Sequence, residues 1–354
     1  MMRSLGVVGA GVVGSAIAWR AAERGWSVTL FDPEPGRGAS WVAGGMLAPL
    51  SEGWPGEDAV LEFGAAALAR WPDFAARLRT ATGVDVFAAD ATLTVALDQA
   101  DAADLRTVAD WVGKQGFDLE ILDRAAVRAL EPALGNRVRL GLLAPTEMAA
   151  DNRRVVTALQ DAVRLAGVRV VPEAVTDLEA LAFDQIVLAA GEASAALWPG
   201  LPIRPVKGEI LRLRARPGVV PRPERVVRGR VHGRPVYLVP RADGLVVGAT
   251  QYEHGHDLDV TVAGVRDLIA DAEALMPGIG EYALAESIAG LRPMSVDNLP
   301  LIGRLSERVV VAAGHGRNGI LTTPLTAEAV VEILDGGPHV IETASPQRFA
   351  GVCR

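Results

Sequence analysis

Cysteine is nearly absent from this 354-residue chain: there is one, Cys353, and it is the penultimate residue. A single thiol excludes intrachain disulfides and thiolate metal sites. Histidine is scarce too. None of the five has the spacing of a zinc-ligand set, and His254 and His256 sit in a Gly/Asp-rich turn beside Asp257 and Asp259 that reads as a solvated loop. No metal site is expected. No apolar run reaches the ~20 residues that span a bilayer, because Arg, Asp or Gly interrupts each one. Met1-Met2-Arg3-Ser4 passes directly into a strand and leaves no room for a signal peptide, so a cytoplasmic protein without a membrane partner is expected. An excess of basic charge is also lacking: the net charge of −8 argues against a nucleic-acid partner. The Arg-rich stretch 222–234 is the local exception, and is expected to be either a solvated loop or a contact in a homo-oligomer.

Half of the residues are hydrophobic and 22% are charged, the balance of a well-buried α/β protein. The length favours two domains. Leu5-Gly6-Val7-Val8 reads as a buried strand, residues 12–24 as a helix of small and apolar residues, and Ser27-Val28-Thr29-Leu30-Phe31 as a second strand. A β-α-β unit therefore opens the fold. A glycine-rich loop follows over 36–45, and one long helix is expected over 59–80. Further helices are expected over 102–115, 124–130, 152–165, 265–275 and 320–334. Strands are expected over 93–97, 168–171, 184–191 and 308–313. Between 210 and 247 short alternating runs broken by Pro, Gly and Asp predict an antiparallel sheet. Rossmann-like pieces thus stand at both ends and in the middle, with a β-rich section between them.

Gly9-Ala10-Gly11-Val12-Val13-Gly14 is a GxGxxG run in the required setting, after a strand and opening a helix. Gly9 permits the tight turn, Gly11 lets the backbone approach a pyrophosphate, and Gly14 lets helix and strand pack closely. The helix N-terminus offers free N–H groups to the phosphates. Asp32, at the end of the second strand, stands where an acid accepts ribose hydroxyls and disfavours a 2′-phosphate, which argues against NADP. Two more segments favour FAD over NAD. In Ala39-Ser40-Trp41-Val42-Ala43-Gly44-Gly45-Met46-Leu47, Ser40 can reach a phosphate, Gly44 and Gly45 let the chain pass a flat ring, and Met46 offers a polarizable contact. Gly314-His315-Gly316-Arg317-Asn318-Gly319 is a second glycine-rich strand-to-helix turn, whose backbone N–H groups would stabilise an anionic reduced flavin.

These segments, with Tyr237-Leu238-Val239-Pro240, Gly248-Ala249-Thr250, Gly290-Leu291-Arg292-Pro293, Asp297, Pro300, Ile302 and Gly303, resemble the D-amino-acid oxidase-like FAD oxidoreductases, and within them the branch that oxidises glycine. The resemblance covers nearly the whole chain. It implies that Val12, Val13, Asp32 and the backbone of Val175 hold the adenosine half of FAD, next to the cofactor-binding glycines Gly9, Gly11 and Gly14. Ala39, Ser40, Gly44, Gly45 and Met46 would line the pyrophosphate and flavin. His315, Gly316, Arg317, Asn318, Gly319, Ile320 and Leu321 would wrap the flavin ring. Arg292 matches the arginine that pairs with a substrate carboxylate, Tyr237 a tyrosine that donates to it, and Arg317 a second substrate-side arginine. The residues themselves leave two plainer readings open: a structural salt bridge for Arg292, and an ordinary β-surface position for Tyr237.

The fold implied is α/β, a Rossmann-type FAD-binding domain (1–50, 145–204 and 295–340) interrupted by a substrate domain with a mainly antiparallel mixed sheet (51–144 and 205–294), then a tail, 341–354. FAD is expected to be noncovalent, because Cys353 lies too near the C-terminus to tether it. The reaction implied is oxidative deamination of glycine, other small amines or D-amino acids. Hydride passes from Cα to the flavin, and oxygen then accepts the electrons as hydrogen peroxide. No protein acid or base is assigned; Arg292, Tyr237 and Arg317 position the substrate. The imine of glycine would pass to a thiazole synthase for thiamine. The alternative is a dehydrogenase of the same fold that hands electrons to a carrier other than oxygen.

Overall fold

The computed structural model describes residues 3–337, 341–349 and 351; Cys353 lies outside them. Two sheets organise the chain. The first has six strands in the order Leu301–Arg304, Val309–Ala313, Gln185–Leu188, Ser4–Val8, Ser27–Phe31, Arg169–Val171. All of its pairings are parallel except that of Leu301–Arg304 with Val309–Ala313. Parallel strands are buried on both faces and so read as continuous apolar runs; Val-Val-Val-Ala-Ala of Val309–Ala313 is buried throughout. One face packs on the helices Val12–Glu23, Asn152–Leu165 and Gly319–Leu334, and the other on Leu178, Trp198, Leu201 and Leu305.

The second sheet runs Ala283–Ser295, Ile203–Arg214, Gly244–Gly248, Arg234–Arg241, Val226–Val231, Phe87–Ala96, Leu140–Ala150, Met46–Leu47, and Glu120–Asp123 also pairs with Leu140–Ala150. Only Val226–Val231 on Phe87–Ala96 is parallel. Alternation sorts its side chains. Leu211, Val227, Leu238, Leu245 and Val247 face the helix Val262–Leu275, whereas Ile210, Val226, Val239 and Val246 meet Val42 and Tyr237 on the other side.

Three expectations need correction. The helix expected over 59–80 is two, Asp58–Leu68 and Trp71–Thr82. Pro72 lacks the N–H that would continue the first helix, and its fixed φ suits the first turn of a new one. The loop expected over 36–45 contains a short helix, Ala39–Val42. The stretch 222–234 is largely a hairpin, Val226–Val231 paired with Arg234–Arg241, rather than a solvated loop. Its arginines meet acids from elsewhere: Arg225 with Glu131, Arg228 with Glu52, Arg230 with Asp104 and Arg234 with Asp271. No described helix is long and apolar enough to cross a membrane.

Candidate active site

Every parallel strand of the first sheet ends on the same side, where ligands of open α/β sheets bind. That edge gathers Gly9 after Val8, Asp32 after Phe31, and Gly314 after Ala313. Gly9 has φ of +105°, which favours glycine. A Cβ on Gly14 would drive into the carbonyl oxygen of Gly9, so helix Val12–Glu23 can sit this close only without one. Among the described residues, the only atom near a Cβ on Gly11 would be Oγ of Ser40, at 3.1 Å. That hydroxyl accepts from the Val12 N–H at 3.1 Å, so Ser40 stands at the N-terminus of the helix. Asp32 accepts from Ala10 N–H at 2.7 Å and from Glu34 N–H at 2.8 Å, with the carboxylate still half-exposed. Val13 is buried in the core beneath the motif, and Val175 packs beside Val8. A glycine cradle, a helix N-terminus and a carboxylate together fit a dinucleotide.

The segment Ala39–Val42 and the two glycines after it are held by a residue that no sequence motif points to. Asn152, fully buried, donates to the carbonyls of Ser40 (2.9 Å) and Trp41 (2.8 Å), and its Oδ1 accepts from Arg212 and Arg241. Arg241 also donates to Gly44 O at 2.8 Å; burial lowers its pKa to about 10, so it stays charged at neutral pH. Met46 begins the edge strand Met46–Leu47, and Gly45 abuts Ala150. On the other turn, His315 is buried and bonded to Thr326 at 3.1 Å; burial lowers its pKa to about 3 and keeps it neutral. Gly316, Arg317 and Asn318 form a 3-10 turn, and the side chain of Asn318 does not cap the helix Gly319–Leu334 that follows, whose N-terminal N–H groups face the end of the turn. Ile320 and Leu321 are buried below it, with Leu321 O accepting from Trp71 at 2.8 Å.

Both segments pack directly on the second sheet. Val42 rests on Gly290, a Cβ on Gly44 would run into the Tyr237 ring, and Gly316 lies on Met294, which bridges to His315. Register then sets the side chains. Tyr237 stands opposite Gly248 on one neighbour and opposite Arg228 on the other. A Cβ on Gly248 would collide with the tyrosine hydroxyl, and one on Gly208 with the Arg292 guanidinium. The sheet is thus cleared of side chains where these two lie. Arg292 spends Nη1 on the carbonyls of Thr250 (3.1 Å) and Lys207 (3.4 Å) and has no ion pair among the described residues. Burial lowers its pKa, with Tyr237 and Glu52 opposing. The Tyr237 hydroxyl has no hydrogen-bond partner among the described residues, and burial raises its pKa, so it is a neutral donor.

Arg317, expected beside them, comes to the same pocket by way of an acid that the motifs do not reveal. Glu52 Oε2 pairs with Arg317 Nε at 3.2 Å and Oε1 with Arg228 Nη2 at 3.1 Å, with only 12% of the carboxylate side chain exposed. The residues before Glu52 are anchored from below. Leu50 N–H, Ser51 N–H and the Ser51 hydroxyl donate to Glu147 at 2.7–2.8 Å. Glu147 is fully buried, and that burial raises its pKa to about 7. Nothing in the local sequence marks Glu52, Arg228, Glu147 or Asn152 as belonging to a site; each reads as an ordinary loop, strand or helix-end residue.

A dinucleotide cradle on a parallel sheet, walled by a second sheet that presents an arginine and a tyrosine, defines a flavin enzyme, and the chain belongs to the FAD dependent oxidoreductase family, which it matches over residues 4–333. FAD is its cofactor. Among its relatives is a putative thiamine biosynthesis oxidoreductase, ThiO, of Rhizobium etli, 33% identical over 97% of this chain and 98% of that protein. The bifunctional protein ThiO/ThiG of a Synechocystis strain is 31% identical over 97% of this chain, which spans about half, 53%, of its length. The glycine oxidase of Geobacillus kaustophilus superposes with a TM-score of 0.90 at 28% identity, covering 99% of this chain and all of that one.

Proposed function

We propose that the protein oxidises glycine and other small amino acids to the imine, which hydrolyses to the 2-oxo acid and ammonia, with oxygen taking the two electrons and two protons as hydrogen peroxide. The observation that carries this reading is Arg292: a guanidinium with no ion pair among the described residues, beside a tyrosine hydroxyl with no hydrogen-bond partner among them, in room left by Gly208 and Gly248 on a face packed on the segments at the cofactor cradle. Such a fork binds a carboxylate through two parallel hydrogen bonds. Tyr237 donates a third. FAD, held by Gly9, Gly11, Val12, Val13, Gly14, Asp32, Val175, Ala39, Ser40, Gly44, Gly45, Met46 and the turn from His315 through Leu321, supplies the hydride acceptor. Arg292 and Tyr237 fix the substrate by one end, and the low-dielectric walls strengthen that grip. Glu52 is already engaged by two arginines, which makes it a counter-ion rather than a base.

The names of the relatives, a glycine oxidase and a thiamine biosynthesis oxidoreductase, support glycine as the substrate and its imine as a product passed to a thiazole-forming partner. The bifunctional relative supports the same hand-off. A panel of glycine, N-methylglycine, D-alanine, bulkier D-amino acids and L-amino acids, with oxygen uptake and peroxide read in parallel, tests the reading. Glycine and N-methylglycine are expected to lead and L-amino acids to be inert. Oxidation of bulky D-amino acids with none of glycine would remove glycine from the proposal, and flavin reduction without oxygen uptake would replace oxygen by another carrier.

A further inference from the structure

The pocket holds more positive charge than one amino-acid carboxylate needs. Arg228 stands opposite Tyr237 in the sheet, and Arg317 is on the turn that packs on Met294. Glu52 binds Arg228 and Arg317, one per carboxylate oxygen, whereas Arg241 is engaged by Gly44 O and Asn152. Its place is fixed by backbone as well as charge: Glu147 pins Leu50 and Ser51, and Arg228 Nη1 reaches the Ser51 hydroxyl at 3.3 Å. Without that bridge, a substrate with a second carboxylate would find an arginine pair there.

We propose that Glu52 is a specificity-determining residue: it occupies Arg228 and Arg317 in place of a second substrate carboxylate, and so restricts the pocket to amines bearing one. This rests on the amino-acid oxidase reading. A second carboxylate would have to share the two arginines with Glu52, and like charges brought together in a partly desolvated site discriminate strongly between ligands. Without the Glu52 charge, both guanidiniums become available to that group, while Arg292 still takes the first.

The test compares N-methylglycine with N-(carboxymethyl)glycine, two N-substituted glycines that differ by one carboxylate, on FAD-loaded wild type and Glu52→Gln. The ratio of kcat/KM, dicarboxylate over monocarboxylate, is expected to rise about tenfold or more in the variant. Glu52→Gln combined with Arg317→Met is expected to lose most of that gain. Binding is read separately from turnover by titrating malonate and acetate against the flavin absorbance. Malonate is expected to tighten about tenfold in Glu52→Gln, with acetate changing less than about threefold. An unchanged or lower ratio, with malonate no tighter, in a variant that keeps its FAD and its Tm overturns the proposal. Glu52→Ala, which has no amide to fill the gap, is expected to move both readouts in the same direction, and its failure to do so would overturn the proposal equally. If the wild type oxidises neither amine, the oxidase reading fails, and the malonate and acetate titration still decides the role of Glu52.

Discussion

Arg292 and Glu147 are both charged residues withdrawn from water, yet their surroundings make opposite demands on them. Arg292 has no ion pair among the described residues, which is why it is proposed as the carboxylate anchor. Replacing it by alanine is expected to cost roughly 2–5 kcal/mol in kcat/KM, the scale for a desolvated charge pair that loses a partner. Lysine recovers only part of this because it lacks the planar fork. An alanine variant with full FAD content and normal kcat/KM would show that Arg292 is not the anchor. Glu147 has its donors already, and what it lacks is solvation of its charge. Its pKa of about 7 lies above the ordinary 4.5, so the folded protein holds a proton that the unfolded chain releases between those values. Stability from this group is therefore lost as pH rises from about 4.5 to about 7, about 3 kcal/mol in all, and is level above that. Glu147→Gln keeps acceptor and shape without the charge. Its stability advantage over wild type in urea titrations is expected to grow across that window and then plateau; an advantage independent of pH would rule out the titration.

At the scale of elements, the strand register brings Tyr237 into use. The hydroxyl occupies room that exists because Gly248 faces it across the pair and Gly44 lies on the ring. Gly248→Ala is expected to push the tyrosine aside while leaving the first sheet and the cofactor cradle intact. Loss of one hydrogen bond to a carboxylate is worth about 1.5–3 kcal/mol, so kcat/KM is expected to fall about 10- to 100-fold at unchanged FAD content. A variant that loses FAD instead would place Gly248 in the cofactor site. The helix break at Pro72 has a positional consequence too: Trp71, fully buried at the start of the second helix, donates to Leu321 O and ties these helices to the turn that carries Arg317.

Across the whole molecule, the proposed cofactor cradle is built where two sheets and several stretches of chain converge, so ligand binding and folding are expected to be linked. With the cofactor held by noncovalent contacts, acid or heat denaturation is expected to release all the flavin as free FAD into the supernatant; colour left in the precipitate would reveal a covalent bond. Free FAD at a hundredfold excess over its Kd is expected to add about 2.7 kcal/mol of stability, visible as a Tm that climbs with the logarithm of FAD concentration. A Tm indifferent to FAD would separate the cradle from the folding of the rest.

The strand, turn, helix and Asp32 of the dinucleotide motif were legible in the sequence because their physics is local: glycines at fixed offsets, an apolar strand before, a small-residue helix after. The motifs that carry Arg292 and Tyr237 single them out as candidates, and the register of the second sheet decides where the two side chains stand. The helix over 59–80 was misjudged because apolar periodicity runs on past residue 70 while Pro72 restarts the backbone hydrogen bonding. Glu52, Arg228, Glu147 and Asn152 belong to the tertiary structure alone. Arg228 looked like any member of a basic stretch until antiparallel register put it opposite Tyr237, and Glu52 looked like a solvated acid until Glu147, 95 residues further on, fixed the loop that holds it. Charge pairing of that kind depends on distance in space, and in a chain folded from two sheets with crossing connections, distance along the sequence carries almost no information about it.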